Sequence, residues 1–154
     1  MAGKEETGEK LVATNRKARH EYTILDSYET GIVLTGTEVK SLRQGSANLV
    51  DGYAMIKDGE LWLFGMHISP YEHGSTSNVD PLRRRKLLVH RNELRKIAGR
   101  LQDKGLTLIP LKIYFTHGIA KLQLGVCRGK REFDKRQDIA RREAERAIRR
   151  HIAR

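Results

Sequence analysis

The segment Tyr53-Ala54-Met55-Ile56-Lys57-Asp58-Gly59, followed by Glu60 through Ile68, constrains the fold most. Asp-Gly favours the two-residue turn whose twist matches that of its flanking strands, so apolar residues on both sides of it predict a β-hairpin. In the second strand Trp62, Phe64, Met66 and Ile68 alternate with Leu61, Leu63 and His67, which predicts a central strand covered on both faces. A central strand needs further strands to pair with, and the rest of the chain supplies them.

Between Glu21 and Gly36, Tyr22, Ile24, Ile32 and Leu34 alternate around an interruption at Tyr28-Glu29-Thr30-Gly31. This predicts two strands joined by a turn, with Gly31 taking a positive φ. Thr37 through Gly45 reads as a short helix with a threonine cap, an acid in its first turn and a basic last turn. Residues 69–82 read as a polar loop. A basic-to-apolar strand, Arg83 to Val89, leads into a helix with Leu94, Ile97, Ala98 and Leu101 on one face, His90 and Glu93 as its capping box and Gly105 beyond its end. Ile109, Leu111, Ile113 and Phe115 alternate in the next strand and Leu122, Leu124 and Val126 in the last, turned at His117-Gly118. Pro110 lacks the N–H a ladder needs, so its strand lies at an edge or bulges there.

About six or seven short strands with two inserted helices predict a mainly β fold, a small antiparallel Greek-key or OB-like barrel over residues 14–128. Residues 1–13 are polar and aperiodic and read as a mobile arm. Residues 129–154 carry ten Lys or Arg against five acids. Ala140, Ala144, Ile148 and Ile152 repeat every fourth residue, and Asp138–Arg142 and Glu145–Arg149 are helix-compatible charge pairs. A stripe half alanine buries too little to dock firmly, so this tail is expected to be disordered alone and helical on a polyanionic partner.

Charge narrows the function. Thirty Lys or Arg against nineteen Asp or Glu give a net charge of +11 in 154 residues, which points to a polyanion. No apolar run approaches the roughly 20 residues of a membrane helix, and the start of the chain lacks the apolar stretch of a secretion signal. A cytoplasmic protein with no membrane partner is expected. The single Cys127 forms no disulfide within the chain and reads as structural, and the six histidines never fall at ligand-pair spacing. Gly31-x-x-x-x-Gly36 resembles the start of a phosphate loop, but Thr37-Glu38 stands where Lys and Ser or Thr must. Without a nucleophile-base pair or clustered carboxylates, neither an enzyme nor a metal-dependent nuclease is expected, and no cofactor.

RNA is the favoured polyanion. Arg83, Arg84, Arg85 and Lys86 form one basic cluster, and Asn15-Arg16-Lys17-Ala18-Arg19 a second. Tyr22, Tyr28, Tyr53, Tyr71 and Tyr114 could stack on unpaired bases or pack internally. Glu29 at a turn amid basic surroundings repels phosphate but can accept from a base amino group. A general OB-type binder of single-stranded RNA is the alternative reading.

Four ordered motifs carry a resemblance: Asn15-Arg16-Lys17-Ala18-Arg19-His20-Glu21-Tyr22; Glu29 through Arg43; Arg85-Lys86-Leu87-Leu88; and Gly129-Lys130-Arg131 with Asp134-Lys135-Arg136. From about Asn15 to the end the chain resembles the SmpB family of SsrA-binding proteins. The resemblance implies an OB-like barrel that binds the tRNA-like domain of transfer-messenger RNA and delivers it to stalled bacterial ribosomes, as a monomer in a 1:1 complex, without catalysis. It implies that Asn15, Arg16, Glu29 and Leu88 belong to the RNA-binding surface, beside the basic Lys17, Arg19, Arg83, Arg84, Arg85 and Lys86. It further implies that the tail, with Lys130, Arg131, Phe133, Asp134, Lys135 and Arg136, occupies the vacant decoding centre and messenger channel of the small subunit. Phe133 stands where many relatives have His or Tyr, keeping a stacking ring without a polar contact, and Gly52 where Ser is usual.

Overall fold

A computed structural model describes residues 9–74, 78–130 and 132–153. Among the described residues nine strands are formed: β1 (Glu9–Thr14), β2 (Tyr22–Ile32), β3 (Ala47–Asn48), β4 (Tyr53–Lys57), β5 (Glu60–Phe64), β6 (His67–Ile68), β7 (Arg85–Leu88), β8 (Leu106–Thr116) and β9 (Ile119–Gly129). Four helices join them: α1 (Arg16–Glu21), α2 (Gly36–Arg43), α3 (Arg91–Arg100) and α4 (Glu132–Ala153). The antiparallel sheet runs β1-β8-β4-β5-β7-β2-β9, and a further β8–β9 pairing closes β8, β4, β5, β7, β2 and β9 into a ring. This is the OB-like barrel.

The Asp58-Gly59 hairpin forms as expected, with φ of 53° and 74° at the two turn residues, and so does the turn at His117 and Gly118, with φ of 49° and 78°. Leu61, Leu63, Leu87, Leu108, Ile113, Leu122, Leu124 and Val126 fill the interior at 2% exposure or less. Each such side chain contributes about 1.5–3 kcal/mol on burial. Ile97 on α3 is also fully buried, with Leu94 and Leu101 packed beside it.

Several expectations are corrected. The two strands and turn between Glu21 and Gly36 are one continuous strand, β2: Tyr28, Thr30 and Ile32 carry the inward alternation through the apparent interruption, with Thr30 buried and its hydroxyl donating to the Leu122 carbonyl at 2.9 Å, and a bulge lies earlier, between Ile24 and Asp26. Gly31 therefore sits in the ladder opposite Leu88. In β5 only one face is inward: Trp62 and Phe64 point out, and the backbone at Gly65, φ 75°, resets the phase so that Met66 and Ile68 join Leu61 and Leu63 inside. A bulge between Pro110 and Lys112 does the same in β8. It turns Ile109 and Leu111 into a separate apolar cluster with Ala18 and Cys127, while Ile113 and Phe115 face the main core. Gly52 is buried where a Cβ would lie 2.7 Å from Pro110 Cγ.

The helix caps also move. Thr35, not Thr37, caps α2, and it forms a reciprocal capping box with Glu38. His90 stands at the N-cap of α3 but makes no side-chain cap bond. The arm boundary shifts as well: Glu9–Thr14 pairs with β8, while residues 1–8 lie outside the described residues. The tail is helical over Glu132–Ala153.

Glu38 is the least expected core residue, at 3% exposure. Its carboxylate accepts from the Thr35 backbone at 2.9 Å, from Arg85 Nε at 2.6 Å, and from Arg83 through Nε and Nη2. Arg85, 1% exposed, spends its other nitrogens on the carbonyls of Met66 at 2.7 Å and Pro81 at 3.0 Å. Burial alone would raise the Glu38 pKa, but the bonds from Arg83, Thr35 and Arg85 outweigh it and hold the carboxyl below its ordinary value of 4.5. A depressed carboxyl stabilises the fold above its unfolded-state pKa, and that contribution is lost as pH falls through the folded value. Glu38→Gln should therefore cost about 3–5 kcal/mol at neutral pH, because it leaves the Arg85 charge buried and uncompensated. It should also weaken the acid dependence of stability below the ordinary glutamate range. Urea denaturation followed by circular dichroism at neutral and acid pH measures both.

Candidate nucleic-acid interface

Register decides which residues of the basic strand reach solvent. Leu61, Trp62 and Leu63 of β5 stand opposite Leu87, Lys86 and Arg85 of β7, and directly paired residues share a face. Arg85 thus points inward with Leu63 and Leu87, onto Glu38. Lys86 and Leu88 point outward. The expectation that Arg83 to Lys86 form a single phosphate-binding run is corrected: Arg85 is withdrawn completely and Arg83 is engaged on Glu38 and the Val33 carbonyl. Arg84 is exposed, its guanidinium 4.3 Å from the Trp62 ring centre, and Lys86 pairs with Glu60 at 3.1 Å. Period-two alternation from Leu87 back to Arg85 is the sequence signal for this split.

Leu88 is 50% exposed and faces a groove of about 490 Å³ with Glu29, Gly31, His90, Ile119 and Lys121 along it. Gly31 lines the groove without a side chain, and a Cβ there would crowd Leu88 Cβ at 3.3 Å. Glu29 is exposed in β2, not at a turn, and its Oε2 accepts from the Tyr114 hydroxyl at 2.5 Å. Ile119, 60% exposed, gives the groove a second apolar wall. Sequence reasoning missed Ile119, Lys121 and His90, which only the β2–β9 and β2–β7 pairings bring beside Glu29. A carboxylate beside apolar walls and a lysine can accept a donor from an unpaired base, while a bare phosphate is repelled by it.

Asn15 is absent from this groove. It is 1% exposed, its side-chain oxygen caps α1 by accepting from Ala18, and its amide donates to the carbonyls of Leu49 and Pro110. The place of Asn15 before the helix was its sequence signal. Arg16, Lys17 and Arg19 are exposed on α1. Tyr114, at 4%, is buried, while Tyr53, 45% exposed, stacks on Phe64 at 5.5 Å between ring centres. Cys127 is buried, and burial pushes its thiol up to about 11, so it stays protonated and packs as a small apolar residue.

The tail meets the barrel at α1. The Lys130 backbone donates to the Glu21 carbonyl at 2.8 Å, and its ammonium reaches the Arg19 carbonyl at 3.1 Å and Asp138 at 2.9 Å. Lys130, Arg142 at 2.8 Å and Arg141 at 2.6 Å surround the Asp138 carboxylate, and the Lys130 hydrogen bond leads in holding it below its ordinary pKa. A basic cleft of about 790 Å³ lies between Arg19, Tyr22 and Ile24 on one side and Arg141 and Arg142 on the other. From residue 143 to 151 the helix is exposed, Ile148 at 59% included. Phe133 and Asp134 lie in its first turn, Lys135 is half-buried, Arg136 is exposed, and Arg131 lies outside the described residues. Among the described residues no helix is long and apolar enough to cross a membrane.

The chain matches the family model described as SmpB protein over residues 12–154. It is 57% identical over 145 residues to an SsrA-binding protein of Desulfitobacterium hafniense, an alignment covering 94% of this chain and 93% of that one. It is 52% identical over 154 residues to an SsrA-binding protein of Nocardia farcinica, covering 100% of this chain and 96% of the relative. Its fold is similar to a solved chain described as "tmRNA-SmpB: a journey to the center of the bacterial ribosome", with a TM-score of 0.67 and 53% identity, covering 82% of this chain and 93% of that one.

The two kinds of arginine separate experimentally. Arg16→Ala with Lys17→Ala should weaken RNA binding at unchanged melting temperature, and the log–log salt slope should fall by about 0.7–0.9 for each phosphate that is no longer neutralised. Arg85→Ala should lower the melting temperature instead. Filter binding across a salt series and thermal melts check the pair.

Proposed function

This chain belongs to the SmpB family, and from that premise we infer that it is an RNA-binding protein of ribosome rescue: it binds transfer-messenger RNA, acts with the ribosome and is not an enzyme. It recognises the tRNA-like domain and carries the RNA to ribosomes stalled without a stop codon. The cytoplasm is the corresponding compartment, and one protein per RNA the corresponding stoichiometry.

The observation that carries the reading is the groove at Glu29 and Leu88. These residues are distant in sequence, and a folded RNA can address them together. An acid there makes sense for a base edge, and the cations around it supply attraction to the backbone. Arg16, Lys17, Arg19, Arg84 and Lys86, exposed or half-exposed, are proposed as phosphate contacts. Asn15 and Arg85 are proposed to act by holding the fold beneath that surface. Glu29→Ala removes a negative charge from an RNA binder, yet transfer-messenger RNA binding should weaken by about 1–3 kcal/mol because a charge-assisted acceptor is removed. Tighter binding in a gel shift would assign Glu29 to mere surface charge. Unstructured homopolymer RNA should fail to displace the folded RNA; if it competes fully, the protein is a general single-strand binder.

For the tail, we propose occupancy of the vacant decoding centre and messenger channel by α4, through Phe133, Asp134, Lys135 and Arg136 with Lys130 and Arg131 before them. The supporting geometry is an exposed basic helix joined to the barrel through Lys130 and Asp138. Its charge suits a channel walled by phosphate. A chain ending at Lys130 keeps the whole barrel and should bind transfer-messenger RNA normally while failing to support peptide tagging on stalled ribosomes. Reconstituted translation reads this directly, and tagging at full rate would reduce the tail to solvated charge.

A further inference from the structure

Tyr114 lies on the outer face of β8, between the inward Ile113 and Phe115, yet only 4% of it is exposed. Lys112 Nζ covers its ring at 5.0 Å from the centroid, and its hydroxyl donates to Glu29 Oε2 at 2.5 Å. That bond reaches diagonally over β9: Tyr114 stands opposite Lys121, and Glu29 opposite Gln123 two residues on. Among the described residues no other group bonds the Glu29 carboxylate. A glutamate on an exposed strand otherwise samples several rotamers, each ordered only when a ligand arrives. Burial first, and then the bond to Glu29, raise the Tyr114 pKa, so the hydroxyl remains a donor wherever the protein is folded.

We propose that Tyr114 is a positioning residue for RNA: by fixing one oxygen of Glu29 it directs the other into the groove between Leu88 and Ile119, where it accepts an N–H from an unpaired base. The apolar walls suit the flat face of a base rather than a ribose or a phosphate. Tyr114 itself touches no RNA; its effect is carried wholly by the carboxylate. The inference rests on the reading of this groove as a contact for transfer-messenger RNA.

Tyr114→Phe tests it, because the ring and its packing under Lys112 are kept and only the hydroxyl is removed. In the full-length protein this variant should bind the tRNA-like domain about 3- to 30-fold more weakly, with an unchanged salt slope and an unchanged melting temperature. In a Glu29→Ala background the same change should cause no further weakening, since there is no carboxylate left to position. Binding within about 2-fold of wild type while Glu29→Ala alone weakens it overturns the role of Tyr114 and leaves the groove reading intact. Effects that add in the double variant, or weaker binding that follows a lowered melting temperature, also overturn it. No effect of Glu29→Ala would remove the groove reading and this inference with it.

Discussion

A carboxylate held between two guanidinium groups inside the protein organises this structure. Glu38 belongs to α2, Arg83 and Arg85 to the approach and start of β7, and the remaining Arg85 nitrogens bind carbonyls at Met66 and Pro81. The cluster therefore ties the helix, the segment around Pro81 and the barrel wall into one unit. Its desolvation is costly, and its hydrogen bonds offset that cost only because every nitrogen of Arg85 has an acceptor. With Arg85 anchored inward, the alternation of β7 compels Lys86 and Leu88 to face outward. The fold thus spends part of its basic run on itself and presents the rest.

The exposed surface divides into regions of different chemistry. Around Glu29 the groove combines an acceptor, apolar walls and a lysine, a set suited to base edges. Around α1 lie the exposed cations Arg16, Lys17 and Arg19, with Arg141 across the cleft, suited to phosphate. A folded RNA offers both kinds of group at fixed distances, so a rigid barrel displaying both can recognise shape where a flat basic surface would bind any polyanion. The six closed strands supply that rigidity.

The tail obeys different physics. Its helix is joined to the barrel by Lys130 and Asp138 and is exposed over residues 143–151, with alanine at two of the four positions of the tail's apolar stripe. The exposed basic residues of the helix suit the phosphate-rich channel proposed for it. The Asp138–Arg142 pair expected from four-residue spacing is formed at 2.8 Å, and Asp138 also gathers Lys130 and Arg141.

Much of the molecule was legible in the linear order of its residues. The Asp58-Gly59 hairpin, the paired last strands with their turn at His117-Gly118, the apolar face of α3 and the basic tail follow from local periodicity and turn chemistry, and the ordered motifs revealed the family. What failed did so where one residue breaks the pattern: Thr30, polar yet inward, made one long strand read as two joined by a turn, Gly65 reversed the faces beyond Phe64, and the bulge after Pro110 split one stripe into two clusters. The site divided in the same way. Sequence singled out Glu29, Leu88 and a row of arginines; only strand pairing decided that Leu88 and Ile119 flank Glu29, that Tyr114 holds its carboxylate, and that Asn15 and Arg85 turn inward. Charge and periodicity are properties of neighbours along the chain, whereas burial of a charge depends on the partner that a distant segment brings to it.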